Sequence, residues 1–95
     1  MVIEHLTFEV PLTCQAAFLY WDHRIWTTAL MTQPGYVSKE IWRDRKSPQC
    51  LQLIIRWHSW EAWQKLDPYW LSALDQRFQA AMQSQHCQYR LVQSQ

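Results

Sequence analysis

Hydrophobic and polar positions alternate over the first ten residues. Val2, Leu6, Phe8 and Val10 fall on one side, and Ile3, His5, Thr7 and Glu9 on the other. A period of two carried by β-branched and aromatic residues predicts a strand, ended by Pro11. The period then changes. Ala17, Phe18, Trp21, Ile25, Ala29 and Leu30 recur at helical spacing and predict a helix over 14–32 with Thr13 as its N-cap. Asp22, His23, Arg24 and Gln33 lie off that stripe or at its edge. Pro34-Gly35 closes the helix, since a residue before proline avoids the α region and glycine forms the turn.

Residues 36–44 and 49–58 read as two strands joined by a turn at 45–48, a connection short enough for an antiparallel hairpin. Ser59 is placed to cap a short helix, with Glu61 near its positive end. Asp67-Pro68 is a second start signal, an N-cap followed by proline at the first helical position, with Leu66 and Leu71 at the staple positions. Leu71, Leu74, Phe78, Ala81 and Met82 form the apolar stripe of this helix. Residues 86–93 complete the pattern as a last strand with Cys87, Tyr89 and Leu91 on one face. The order β-α-β-β-α-β predicts an α+β, ferredoxin-like fold with a four-stranded antiparallel sheet. Ninety-five residues make it one domain, 1–95.

A hairpin turning at 45–48 sets Trp42 opposite Leu51. Tyr36, Ser38, Glu40 and Trp42 are then expected to share the helix-facing side with Leu51, Leu53, Ile55 and Trp57. The other side would carry Ile3, Val37, Ile41, Ile54 and Val92 interleaved with Lys39, Arg43, Arg56 and Arg90. That mixture is too aliphatic for a solvated sheet and too charged for a core. It predicts a homodimer packed sheet to sheet through Ile3, Val37, Ile41, Ile54 and Arg56. The alternative is a solvated sheet with scattered β-branched residues.

Composition narrows the classes. The net charge is +1, which argues against a nucleic-acid partner. Gly35 is the one glycine, so no glycine-rich phosphate cradle can be built. No basic segment followed by an apolar one opens the chain, and the apolar runs are far too short for a membrane span. The expected setting is the cytoplasm, with no membrane partner. Cys14, Cys50 and Cys87 are widely spaced, with no metal-binding pair among them, so free and mostly buried thiols and no metal site are expected. Cys14, near a helix start, is the candidate if one thiol is reactive.

Two carboxylates interrupt the expected apolar face, Glu4 and Glu40. Burial raises a carboxyl group's pKa and makes it a candidate proton acceptor; the alternative places both heads in water near strand ends. His58 adjoins the Ser59 cap and reads as a capping or surface residue. Seven tryptophans are many for so small a core, because each indole is rigid and its N–H needs a partner. Most read as packing. The alternative is a pocket lined by Trp26, Trp42, Trp63 and Trp70 between helices and sheet.

Pro34-Gly35-Tyr36 at the helix-to-strand corner, Arg56-Trp57 at a strand end and Ser59-Trp60-Glu61-Ala62-Trp63 opening a helix together resemble the antibiotic biosynthesis monooxygenase-like superfamily. With Ile25-Trp26-Thr27, Lys39-Glu40-Ile41-Trp42 and Ile55-Arg56-Trp57, the chain is similar to a family of short cyanobacterial proteins within it. The resemblance covers nearly the whole chain. It implies a dimeric α/β barrel and a pocket between sheet and helices. Some members oxidise aromatic polyketides without metal or prosthetic group. Others degrade haem, using an Asn on the first strand and an iron-ligating His on the later helix. This chain has no Asn, and no His between Asp67 and Gln85; haem is therefore disfavoured and no cofactor is expected.

Two readings of function follow. One is a dimer that binds or oxidises a small aromatic or apolar molecule, with Trp26, Trp63 and Trp70 holding it and Glu4 or Glu40 taking a proton; as an enzyme it would be a cofactor-independent monooxygenase. The other is a non-enzymatic dimeric interaction or regulatory module whose tryptophans are packing.

Overall fold

The first strand, β1 (Val2–Glu9), forms where the alternation predicts it, and it lies inside the sheet rather than at an edge. The computed structural model describes residues 1–95. The sheet has the order β2-β3-β1-β4, with β2 (Tyr36–Arg43), β3 (Cys50–Trp57) and β4 (Arg90–Ser94), and each neighbouring pair is antiparallel. In β1, Val2, Glu4, Leu6 and Phe8 stand opposite Trp57, Ile55, Leu53 and Leu51. These residues form the inner face, against which the helices lie. The core gathers Val10, Phe18, Ile25, Leu51, Leu53, Leu74, Phe78 and Met82, and a second cluster joins Leu30, Ile55, Trp57 and Leu66.

The first helical run is less regular than its stripe suggests. A 3₁₀ turn (Leu12–Cys14) leads into α1 (Gln15–Trp21), a π-helical segment (Asp22–Thr27) and a last turn, α2 (Thr28–Leu30). Thr13 does not cap it, because the 3₁₀ turn starts one residue earlier, at Leu12, and places Thr13 inside the run. Gln15, itself buried, ties the start of the run to the strands by donating to the carbonyls of Val10 and Pro48. Gly35 has a left-handed φ of 90°, and a Cβ built on it would lie 2.4 Å from the Ala62 Cβ, so this corner admits only glycine without displacement.

The two caps read from the sequence of the second half are present. Ser59 Oγ accepts from the Ala62 amide at the start of α3 (Trp60–Gln64), and Asp67 accepts from the Tyr69 amide at the start of α4 (Pro68–Ser84). α4 ends in a Schellman motif: His86 has a φ of 55°, its amide bonds to Gln83, and the Cys87 amide bonds to Met82. That motif occupies 86–87 and delays β4, expected from 86, until Arg90.

Two expectations are corrected. The hairpin register is offset by one residue. Tyr36 faces Trp57, but Ser38 faces Arg56, so Val37 is the extra residue of a β-bulge. Beyond it Lys39, Ile41 and Arg43 stand opposite Ile55, Leu53 and Leu51, while Ser38, Glu40 and Trp42 join Arg56, Ile54 and Gln52 on the outer face. The free-thiol expectation also fails for two of the three cysteines. Cys14 and Cys87 form a disulfide with a Cα–Cα distance of 5.7 Å across 73 residues, and only Cys50 is a free thiol. No spacing pattern announces such a pair; the fold creates it, by bringing the residue after α4 beside the start of the first helical run. No helix is long and apolar enough to cross a membrane.

Candidate binding cavity

Between the inner face and the helices lies a cavity of about 460 Å³, within the usual range for small-molecule sites. Its walls are mostly apolar: Leu6, Phe8 and Leu53 from the strands, Trp26 and Leu30 from the first helical run, and Trp63, Leu71 and Phe78 from the later helices. Tyr89 closes one side, its ring packed within 6.0 Å of the rings of Phe8, Phe18 and Phe78. Burial, together with the nearby Asp75 carboxylate, pushes the Tyr89 hydroxyl up to about 12, so it stays protonated at neutral pH.

Four charged side chains reach this apolar space: Glu4, Asp22, Lys39 and Asp75. Lys39 Nζ donates to Asp22 Oδ2 at 2.6 Å and to Thr27 Oγ1 at 3.0 Å, and the side chains of the Asp22–Lys39 pair are each only 3% exposed. Two backbone irregularities build this arrangement. The bulge at Val37 turns Lys39 inward. The π segment, whose bonding runs i to i+5, brings Asp22, Trp26 and Thr27 to one side, where regular α spacing would carry Thr27 away. Burial raises the Asp22 pKa against the opposing pull of Lys39, and it lowers that of Lys39 against the pull of Asp22 and Glu4. Glu4 is raised as well, chiefly by burial; the Trp57 indole, donating to its Oε1 at 3.2 Å, and the Lys39 charge work in the other direction.

The structure therefore divides the residues singled out in the sequence. Glu4, Trp26 and Trp63 meet at the cavity. Trp70 packs against the core without lining it. Glu40 and Trp42 are on the opposite side of the sheet, where Glu40 accepts from Arg56 and from the Trp42 indole, and Trp42 is half exposed. The Trp42 indole bond, and then the Arg56 bond, hold the Glu40 carboxyl below the usual range. Glu40 thus has the opposite character to Glu4 and no access to the cavity. Lys39 escaped the sequence reading because a strict strand period places it on the outer face, and Asp22 because a lone charge beside the apolar stripe gives no sign of its buried partner, although it is spaced i+4 from Phe18. No group of three or more His, Cys, Asp or Glu side chains is arranged to hold a metal.

With this geometry in place, solved structures identify the architecture. SnoaB from Streptomyces nogalater, described as a cofactor-independent oxygenase, superposes with a TM-score of 0.64 at 18% identity, covering 98% of this chain and 91% of that one. A protein from Deinococcus radiodurans described as a candidate antibiotic biosynthesis monooxygenase has a TM-score of 0.64 at 17% identity, covering 100% and 90%. A similarly described protein from Bordetella bronchiseptica matches with a TM-score of 0.64 at 17% identity, covering 96% and 93%. The chain shares the α+β fold of these three proteins, a four-stranded antiparallel sheet with helices on one face. No protein-family model matches the chain, and no curated protein matches its sequence. At these identities the shared property is the ABM-like fold, and the chemistry of the site rests on its own residues.

Proposed function

We propose that this ABM-like domain binds a small, planar, largely apolar molecule in the cavity between sheet and helices, and that Glu4 is the proton acceptor there. The observation that carries the proposal is a carboxylate with a raised pKa set in an aromatic-walled cavity. A carboxylate with these neighbours is a stronger base than one in water, as proton abstraction requires. The reaction class that fits is cofactor-independent oxygenation of an anthrone-like substrate. Loss of a proton beside the carbonyl makes an electron-rich carbon that reduces dioxygen. The ring CH₂ becomes C=O, one oxygen atom enters the product, and the other leaves as water with the two hydrogens. Likeness to the oxygenase SnoaB supports this class.

The working unit in this proposal is a homodimer packed through the outer sheet face. Ile3, Ile54 and Arg56 remain on that face, Trp42 and Glu40 join them, and Ile41 leaves for the core side. Ile3 and Trp42 are both half exposed in the single chain, which is the apolar surface a second copy would cover.

Oxygen uptake with anthrone-like or quinol substrates tests the chemistry. Glu4→Gln is expected to abolish uptake and Glu40→Gln to leave it intact; equal rates for the Glu4 variant and the unmodified protein would remove Glu4 from the mechanism. Absence of both uptake and ligand-induced fluorescence change would favour the non-enzymatic module instead.

A further inference from the structure

Polar groups in an apolar cavity state what a guest must offer, because each donor or acceptor left without a partner on binding costs free energy. An ammonium group has three donors, and Lys39 directs two of them to Asp22 and Thr27. One N–H is left, on a side chain that lines the cavity. A carboxylate has two accepting oxygens, and Glu4 commits one of them to the Trp57 indole. No fully buried side-chain nitrogen or oxygen lacks a partner, so the second Glu4 oxygen borders accessible space. Asp22 likewise commits one oxygen to Lys39 and keeps the other, so the polar end of the cavity offers one ammonium donor flanked by carboxylate acceptors on Glu4 and Asp22.

We infer that Lys39 is a specificity-determining residue of this cavity: its remaining N–H takes an oxygen of the guest while Glu4 takes that guest's proton, with Asp22 and Thr27 as positioning residues that aim the ammonium group. The inference rests on the cavity being the binding site. Charge supports it. An anionic guest would meet the carboxylates of Glu4, Asp22 and Asp75 against the single cation of Lys39. A hydrocarbon would leave the free positions of Lys39 and Glu4 unpaired. A neutral group that donates and accepts through one atom satisfies both. The locked Asp22–Lys39 pair also costs no side-chain reordering when the guest arrives.

Isosteric naphthalenes test this on the full chain, by calorimetric titration. On the unmodified protein 2-naphthol should bind about tenfold more tightly than naphthalene, and more tightly than 2-methoxynaphthalene or 2-naphthoate. Lys39→Met combined with Asp22→Asn removes both charges of the pair, so Asp22 is not left as an unpaired buried charge and Glu4 keeps its Trp57 bond; it should shrink the naphthol advantage several-fold, and Lys39→Arg should restore part of it. A purely structural pair would change melting without changing the ratio of affinities. Equal affinity for naphthol and naphthalene overturns the inference on the unmodified protein alone, whether or not the double variant folds. So does naphthoate binding most tightly, or a double variant that keeps the full naphthol advantage. Binding without discrimination removes only the role of Lys39, whereas failure of every guest to bind removes the cavity reading beneath it.

Discussion

The two faces of the sheet each hold a lysine or arginine paired with a carboxylate, and the pairs behave differently. On the inner face Asp22 and Lys39 are almost fully enclosed, and burial is the first cause of both pKa shifts, raising the acid and lowering the amine. On the outer face Arg56 and Glu40 are partly exposed, at 27% and 42%, and hydrogen bonds rather than burial set the carboxyl, lowering it. The contrast extends to Glu4 on β1 and Glu40 on β2: Glu4 is raised inside and Glu40 lowered outside. Residue type alone does not assign a role. The side of the sheet does, and in β2 that side is decided by one extra residue at Val37.

The largest expected effect attacks the inner pair. Lys39→Met alone leaves Asp22 buried and unpaired and should cost about 3–5 kcal/mol in urea unfolding. The equivalent outer substitution, Glu40→Gln, should lower the denaturation midpoint at neutral pH only slightly, since partly exposed pairs contribute little. Equal losses for the two would erase the distinction between the faces. Next is the covalent closure of the inner side. Cys14→Ser removes a link spanning 73 residues and should cost about 2–4 kcal/mol under non-reducing conditions. An unchanged midpoint there, together with two reactive thiols in the native protein, would return Cys14 and Cys87 to the free state expected from the sequence.

A smaller effect sharpens the comparison through pH. Glu4 binds its proton more tightly folded than unfolded, so its contribution to stability is greatest in acid. It is lost as pH rises from the ordinary value of 4.5 through the raised folded value. Glu40, lowered from 4.5, works in the opposite sense. It stabilises above that value and loses the contribution as pH falls through its folded value. Unfolding measured across pH should therefore show Glu4→Gln flattening the decline above 4.5, with Asp22 carrying the rest, and Glu40→Gln flattening the loss below it. The same sign of change for both would contradict the assignment of the glutamates to unlike surroundings.

The bulge at Val37 also marks the limit of what could be read from the chain. The strand at Val2–Glu9, the Pro34-Gly35 corner, the Ser59 cap and the Asp67-Pro68 start were all legible, because each is a local signal with a local cause. The inward placement of Glu4, Trp26 and Trp63 was legible too, and all three line the cavity. The placement of Glu40, Trp42, Lys39 and Asp22 was not. A bulge reverses the alternation of β2 and hides Lys39, while Asp22, spaced i+4 from Phe18, reads in the sequence only as a charge at the edge of the apolar stripe. A charge at an apparently outward position gave no local reason to look for the bulge. The disulfide lay further out of reach, since only the completed fold brings Cys14 and Cys87 together.

Guests bound as proposed contact Trp26 and Trp63 in the inner cavity, while Trp42 stands apart on the other side of the sheet. Indole fluorescence during titration with an anthrone-like ligand tests this directly in two variants, Trp26→Phe with Trp63→Phe, and Trp42→Phe alone. Ligand-dependent quenching is expected to survive in the Trp42 variant and to be lost in the double variant. Quenching that persists without Trp26 and Trp63, or disappears with Trp42, would contradict it.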